Sequence, residues 1–235
     1  VDRRQRQMCI RDRNGTGVRV SQVLRRFDAA VESRLRHALS DASDWQVQQQ
    51  TLDRIESLYN ETTDQDLSTA LTNFFNSFSE LANNPQDLGI RTIVIQRTLH
   101  LVGQIKRLRS DMDGLRQELD ASVRTGVQEI NRLAAQIATL NTRVLQAEEG
   151  HLGSAPSLRD ERDGLLSELA QWLDIRVVEQ NTGAVNVIVG NQILVDGRYS
   201  REVTCRTDEN RNLGVAEVRF ADNDELVCLN GGKIA

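Results

Sequence analysis

The chain has 235 residues, 39% hydrophobic but only 4% aromatic, so its core must be built from Leu, Ile, Val and Ala. That length suits one large domain or two smaller ones, and that composition suits long packed helices better than a deep ligand pocket. With 29 basic and 34 acidic side chains, the net charge of -5 argues against general affinity for nucleic acid.

Residues 1–13, "VDRRQRQMCIRDR", hold five Arg and two Asp, show no helical or strand period, and are set aside as a non-native or disordered segment. "MCIRDR" resembles translated sequencing-adapter DNA. A helical pattern takes over near Val20, with Val23, Leu24, Phe27, Val31, Leu35, Leu39, Leu52, Ile55 and Leu58 recurring mostly on one face. "NETTDQD" breaks it, and Asp66 is placed to cap a shorter helix whose stripe is Leu67, Leu71, Phe74, Phe75, Phe78 and Leu81. "ANNPQD" ends that helix and puts Pro85 in the first turn of the next.

This third helix carries the clearest pattern in the chain. Ile105, Leu108, Met112, Leu115, Leu119, Val123, Val127, Ile130, Leu133, Ile137, Leu140 and Val144 advance by threes and fours, about 3.5 residues per step, the coiled-coil period. Running from Pro85 to Ala147, it would be ~90 Å long. Gly103, Gly114 and Gly126 each cost it about 1 kcal/mol relative to Ala, so packing partners must cover the seam.

After a Gly-containing loop comes "LRDERDGLLSEL", residues 158–169. Its acids could suggest catalysis, but they sit where a helix dipole favours carboxylates. Ser157 and Asp160 have capping-box spacing, Arg159 and Asp163 are i,i+4 partners, and Leu158, Leu165, Leu166, Leu169, Trp172 and Leu173 supply an apolar face. The reading is a solvated, charged helix entrance.

From Ile175 the period falls to two: "IRVVEQ", "GAVNVIVG", "NQILVDG", "REVTCRT", "VAEVRFA" and "ELVCLN" are short strands between Gly, Asn and Asp turns, with Gly190-Asn191 as a two-residue hairpin turn. The expected fold class is α+β: a helical rod of coiled-coil type with antiparallel helices over 14–174, then a partial antiparallel β domain over 175–235.

No chemistry stands out along this frame. Cys9, Cys205 and Cys228 form no CxxC, and Cys205 and Cys228 read as buried free thiols rather than a pair. GxGxxG, P-loop, HExxH and GxSxG patterns are missing, so no catalytic residue, cofactor or metal is expected. Neither a membrane span nor a cleaved signal peptide is expected, which leaves the cytoplasm or export by another route.

The order of motifs resembles the flagellar hook-associated protein 1 family. "GTGVRVSQVLRRFDAAVESRLRHA" is similar to the family's opening at Gly15, Gly17, Val18, Val20, Arg26, Asp28, Leu35 and Arg36. The paired Phe74 and Phe75, then Asn84, Pro85 and Arg91, match a second segment. "VQEINRLAAQIATLN" and "LRDERDGLLSELAQWLDIRV" are the most specific, the latter through Leu158, Asp160, Arg162, Asp163, Leu165 and Leu169. The resemblance implies a structural subunit of the hook–filament junction, needed for filament assembly, exported through the flagellar type III channel to an extracellular site. It also implies contacts with copies of itself, with hook and second-junction proteins, and with an export chaperone at a C-terminal part beyond this piece. The family's two terminal regions are expected to be missing. The alternative is a coiled-coil signalling or sensor module with a β domain. Three apolar sets are expected to carry the packing: the seam from Ile105 to Val144, a Phe74/Phe75/Phe78 wedge, and the Leu165/Leu169/Trp172 face.

Overall fold

The computed structural model describes residues 27–59, 66–149, 154–208 and 215–235. Among the described residues four helices precede six strands: α1 (Ala29–Tyr59), α2 (Leu67–Asn83), α3 (Leu88–Ala147), α4 (Pro156–Trp172), β1 (Ile175–Glu179), β2 (Val185–Val189), β3 (Gln192–Asp196), β4 (Tyr199–Ser200), β5 (Val203–Asp208) and β6 (Val215–Phe220). The α+β order of helical rod and then antiparallel strands is the one expected.

Helix starts follow local chemistry. Asp28 opens α1 by accepting from the amides of Ala30 and Val31 at 2.9 and 3.2 Å. Asp66 caps α2 by accepting from Thr69 N at 2.6 Å. The start of α3 corrects the expectation for Pro85: Asp87 accepts from the amides of Gly89 and Ile90, so the helix begins at Leu88. The Pro85 carbonyl instead receives Arg91 Nε and Nη2 at 3.0 and 2.6 Å.

With 60 residues, α3 is ~90 Å of continuous helix. It has two differently covered halves. Toward its N-terminus it pairs with α2, burying Val94 and Leu101 against Ala70 and the half-buried Phe74. Toward its C-terminus it packs on α4 and the strands, and Ile130, Leu133, Ala134, Ile137 and Val144 lose all solvent contact.

The strands form a four-stranded antiparallel sheet in the order β1-β2-β3-β4 and a separate β5–β6 hairpin. Val185, Val187 and Val189 alternate inward along β2, as a sheet with one covered face requires. Gly190-Asn191 makes the turn that pairs Val189 with Gln192, and a bulge follows between Val187 and Ile188. Leu166, Leu169 and Ala170 of α4, Leu194 and Val195 of β3, Val203 of β5 and Phe220 of β6 join the α3 residues in one cluster, so helices and strands bury each other's apolar faces. Beyond β6 the chain returns to the rod, where Lys233 N donates to Gln171 O at 2.9 Å and Ile234 is buried beside Gly126.

Two further expectations are corrected here. "ELVCLN" forms no strand, only an isolated bridge between Leu226 and Arg219. Cys205 and Cys228 are free as expected, but Cys228 is exposed rather than buried. Burial pushes the Cys205 thiol above its ordinary value, with Arg124 opposing.

Candidate functional site

The motif residues of α4 converge with the end of α3 and the β1–β2 turn in a buried polar joint. The start of α4 differs from the capping box expected of Ser157. Its N-cap is Ala155, without a side-chain bond, and Pro156 fills the first turn, where a missing N–H costs nothing. Glu148, from the end of α3, supplies the acceptor instead, taking Ala155 N at 3.3 Å on Oε1.

Glu148 also anchors Arg159. Arg159 Nε and Nη2 each donate to one Glu148 oxygen at 2.7 Å, and Nη1 donates to Glu179 of β1 at 2.6 Å. This replaces the expected Arg159–Asp163 pair. The reason is geometric: a bidentate fork onto a buried carboxylate beats an exposed i,i+4 contact. Glu148 and then Glu179 hold the Arg159 guanidinium above its ordinary value, against the burial that would lower it. Gly183 lies against this fork with φ +86°, and a Cβ there would come 2.9 Å from Arg159 Nη2. Only glycine meets both demands at low cost.

Arg162 corrects the reading of a solvated helix entrance most sharply, being 1% exposed. Its Nη1 donates to Asn141 Oδ1 at 3.1 Å and to the Gly183 carbonyl at 2.8 Å. Asn141, fully buried in α3, donates through Nδ2 to the carbonyls of Val185 and Gly197, and its Oδ1 accepts Val185 N at 3.1 Å. One amide thus satisfies β2 and the β3–β4 turn together. Asn131 does the same for β5, donating to Val203 O at 2.8 Å and accepting Val203 N at 2.9 Å.

A second tie lies on the α1 side. Arg36 is 5% exposed and faces Glu32 of its own helix at 3.9 Å and Asp163 of α4. Burial lowers its guanidinium below the ordinary value, with Asp163 and Glu32 opposing. His37 Nδ1 stands 2.7 Å from Asp174 Oδ1, adding a contact between α1 and the α4–β1 corner.

The apolar sets are unequally placed. From Val127 the seam is buried through Ile130, Leu133, Ile137, Leu140 and Val144. Leu108, Met112, Leu115, Leu119 and Val123 are half-buried, and Ile105 is exposed. Phe74 sits between the rings of Phe75 and Phe78 at 5.2 and 4.8 Å, but those two are 63% and 45% exposed, so they form a ridge rather than a wedge. Leu169 is fully buried, while Leu165 and Trp172 are half-buried against the core. Asp160 is exposed, and Gly15 and Gly17 lie outside the described residues. Asn131, Asn141 and Glu148 were not singled out from the sequence. Their one signal is an amide or acid interrupting "LAAQIATLN" and its flanks.

Among the described residues no group of His, Cys, Asp and Glu could hold a metal ion, and no described helix is long and apolar enough to cross a membrane. The joint fastens elements together; its carboxylates are spent on arginines.

A family model described as the flagellar hook-associated protein FlgK helical domain matches residues 52–235. Proteins named flagellar hook-associated protein 1 from Escherichia coli strain K12 and Salmonella typhimurium are each 30% identical over 193 residues, covering 81% of this chain. The one from Bacillus subtilis strain 168 is 29% identical over 170 residues, covering 72% of it. This chain spans only 35% of the first two relatives' length and 33% of the third's. Among solved structures, the flagellar hook junction protein FlgK from Burkholderia pseudomallei superposes with a TM-score of 0.74 over 86% of this chain and 37% of that one. At 24% identity, that likeness speaks for the fold.

Proposed function

The chain belongs to the flagellar hook-associated protein FlgK family, and from that premise we propose that it is a structural subunit at the junction of flagellar hook and filament. The observation that carries this reading is the family match across residues 52–235, which takes in both the rod and the strands. The packing is of the same kind: charged groups are spent on internal joints, as suits a load-transmitting part. An assembly role also accounts for the large apolar side chains left on the rod. Trp45, Leu52, Phe75, Leu88, Ile95 and Leu99 are each at least 60% exposed, a surface suited to neighbouring subunits. Its partners are copies of itself, the hook protein and the second junction protein, with an export chaperone engaging a C-terminal part of the longer protein. Its site is extracellular, reached by flagellar export.

The test is deletion of the gene in its host. Bare hooks with filament protein shed into the medium are expected, with rescue by the complete gene. Normal filaments on the deletion strain would overturn the proposal. The coiled-coil signalling alternative is not favoured by the family match.

A further inference from the structure

We propose that the section of α3 from Val102 to Thr125 is a compliant joint, which lets the α2-bearing end of the rod swing relative to the strand-bearing end. This goes beyond the junction reading and does not depend on it.

Between Leu101 and Gly126 no residue of α3 is buried, whereas the helix on either side is anchored. The two anchors are of different kinds: α2 holds the N-terminal half, and the common core of α4 and the strands holds the C-terminal half. In between, α1 runs alongside without closing on α3. A groove of about 350 Å³ separates them at Arg54, Ser57, Gly114, Leu115 and Glu118. A second, of about 390 Å³, opens at Val47, Leu52, Leu119 and Val123, with Ile234 and Ala235 of the C-terminal segment along its far end. Exposed polar contacts reach the section: Arg54 to Glu118 at 3.1 Å joins side chains that are 59% and 69% exposed, and Arg124 Nη2 donates to Thr207 Oγ1 at 3.3 Å, so both restrain it weakly.

The glycines point the same way. At Gly126 a Cβ would strike Ile234 at 2.6 Å and Trp172 at 3.0 Å, so close packing accounts for that glycine. At Gly103 and Gly114 a Cβ would meet nothing within 4 Å. No contact among the described residues requires glycine at either position. What glycine does supply there is backbone freedom, the property of a helix that has to bend. Local stability follows contact density, so this section should open more readily than its neighbours on both sides.

The experiment places spin labels in the 235-residue chain, with Cys9, Cys205 and Cys228 replaced by Ala. One label pair, at Gln96 and Gln128, spans the section; a control pair, at Gln128 and Arg143, lies within the anchored half. The spanning pair should give a distance distribution clearly broader than the control, and G103A/G114A should narrow it. In parallel, amide exchange over residues 104–118 of the unlabelled protein should slow about fivefold for each alanine, following the helix propensity difference. A spanning distribution as narrow as the control overturns the joint. A broad distribution that the two alanines leave unchanged overturns the role of the glycines.

Discussion

Asn141 shows how much one side chain can hold. Its amide replaces a missing strand neighbour for Val185 and caps the Gly197 carbonyl, all within the core. Asn141→Leu would keep the volume but leave the Val185 N–H and both carbonyls without their partner. Each of these three buried polar groups costs about 1–3 kcal/mol when stranded, so the variant should lose at least about 3 kcal/mol in urea unfolding. Asp160, two residues before Arg162 in the same motif, is exposed. Asp160→Asn keeps the size of a surface side chain at the helix entrance and should cost under ~1 kcal/mol in the same assay. Equal losses in the two variants would contradict the joint. Sequence alone ranks these residues the other way round. The acids of "LRDERDG" stand out by their charge, whereas Asn141 is one polar letter in an apolar helix. What makes it matter, the two turns that meet it, lies 44 and 56 residues away in sequence.

The elements themselves were far more legible. Period alone brings out α3 and five of the six strands, because amphipathic repeats record which face is covered; the two-residue β4 is too short to show a period, and "ELVCLN" alternates without forming a strand. Asp66 was readable as a cap because capping is local. Pro85 and Ser157 misled for a related reason: several local candidates compete, and Asp87 and Glu148 won by geometry that spacing does not encode. Helical glycines are equally ambiguous as letters. Gly126→Ala should destabilise the fold by about 1–3 kcal/mol, since the added methyl group must displace Ile234 or Trp172. Thermal unfolding followed by far-UV circular dichroism checks it, and an unchanged melting temperature would mean that the chain beyond β6 docks less tightly than described.

At the scale of the molecule, helices and strands share one core, so they should melt together. Leu133→Asp puts an unpaired charge at its centre, where Leu133 is 0% exposed. Helical and strand signals should be lost in a single transition, and survival of the strand signal would mean the two regions are energetically separate. Acid should act more gradually. A bond from Thr69 holds Asp66 below the usual carboxylate range, as Arg132 does for Glu129 and Arg201 for Asp222. Depressed values mean that the unfolded chain binds protons first. The stability they lend is therefore present above the ordinary carboxylate range and lost as pH falls through their lowered values. Melting temperature should stay level down to roughly pH 5 and fall below about pH 4, and 0.5 M salt should soften the fall because these groups are exposed. A melting temperature that rises on acidification would refute the assignment.

The two asparagines of α3 settle a question that a heptad repeat leaves open. A seam of similar apolar side chains fits its partners nearly as well after sliding by seven residues, so period alone does not number the turns. Asn131 and Asn141 do. Sliding one way would present Ala138 and Glu148 to the strands, and sliding the other way Arg124 and Ala134. None of these offers the donor and acceptor that Val203 and Val185 require. The strands therefore act as an index mark on the helix, fixing the length of rod that projects from them to the residue.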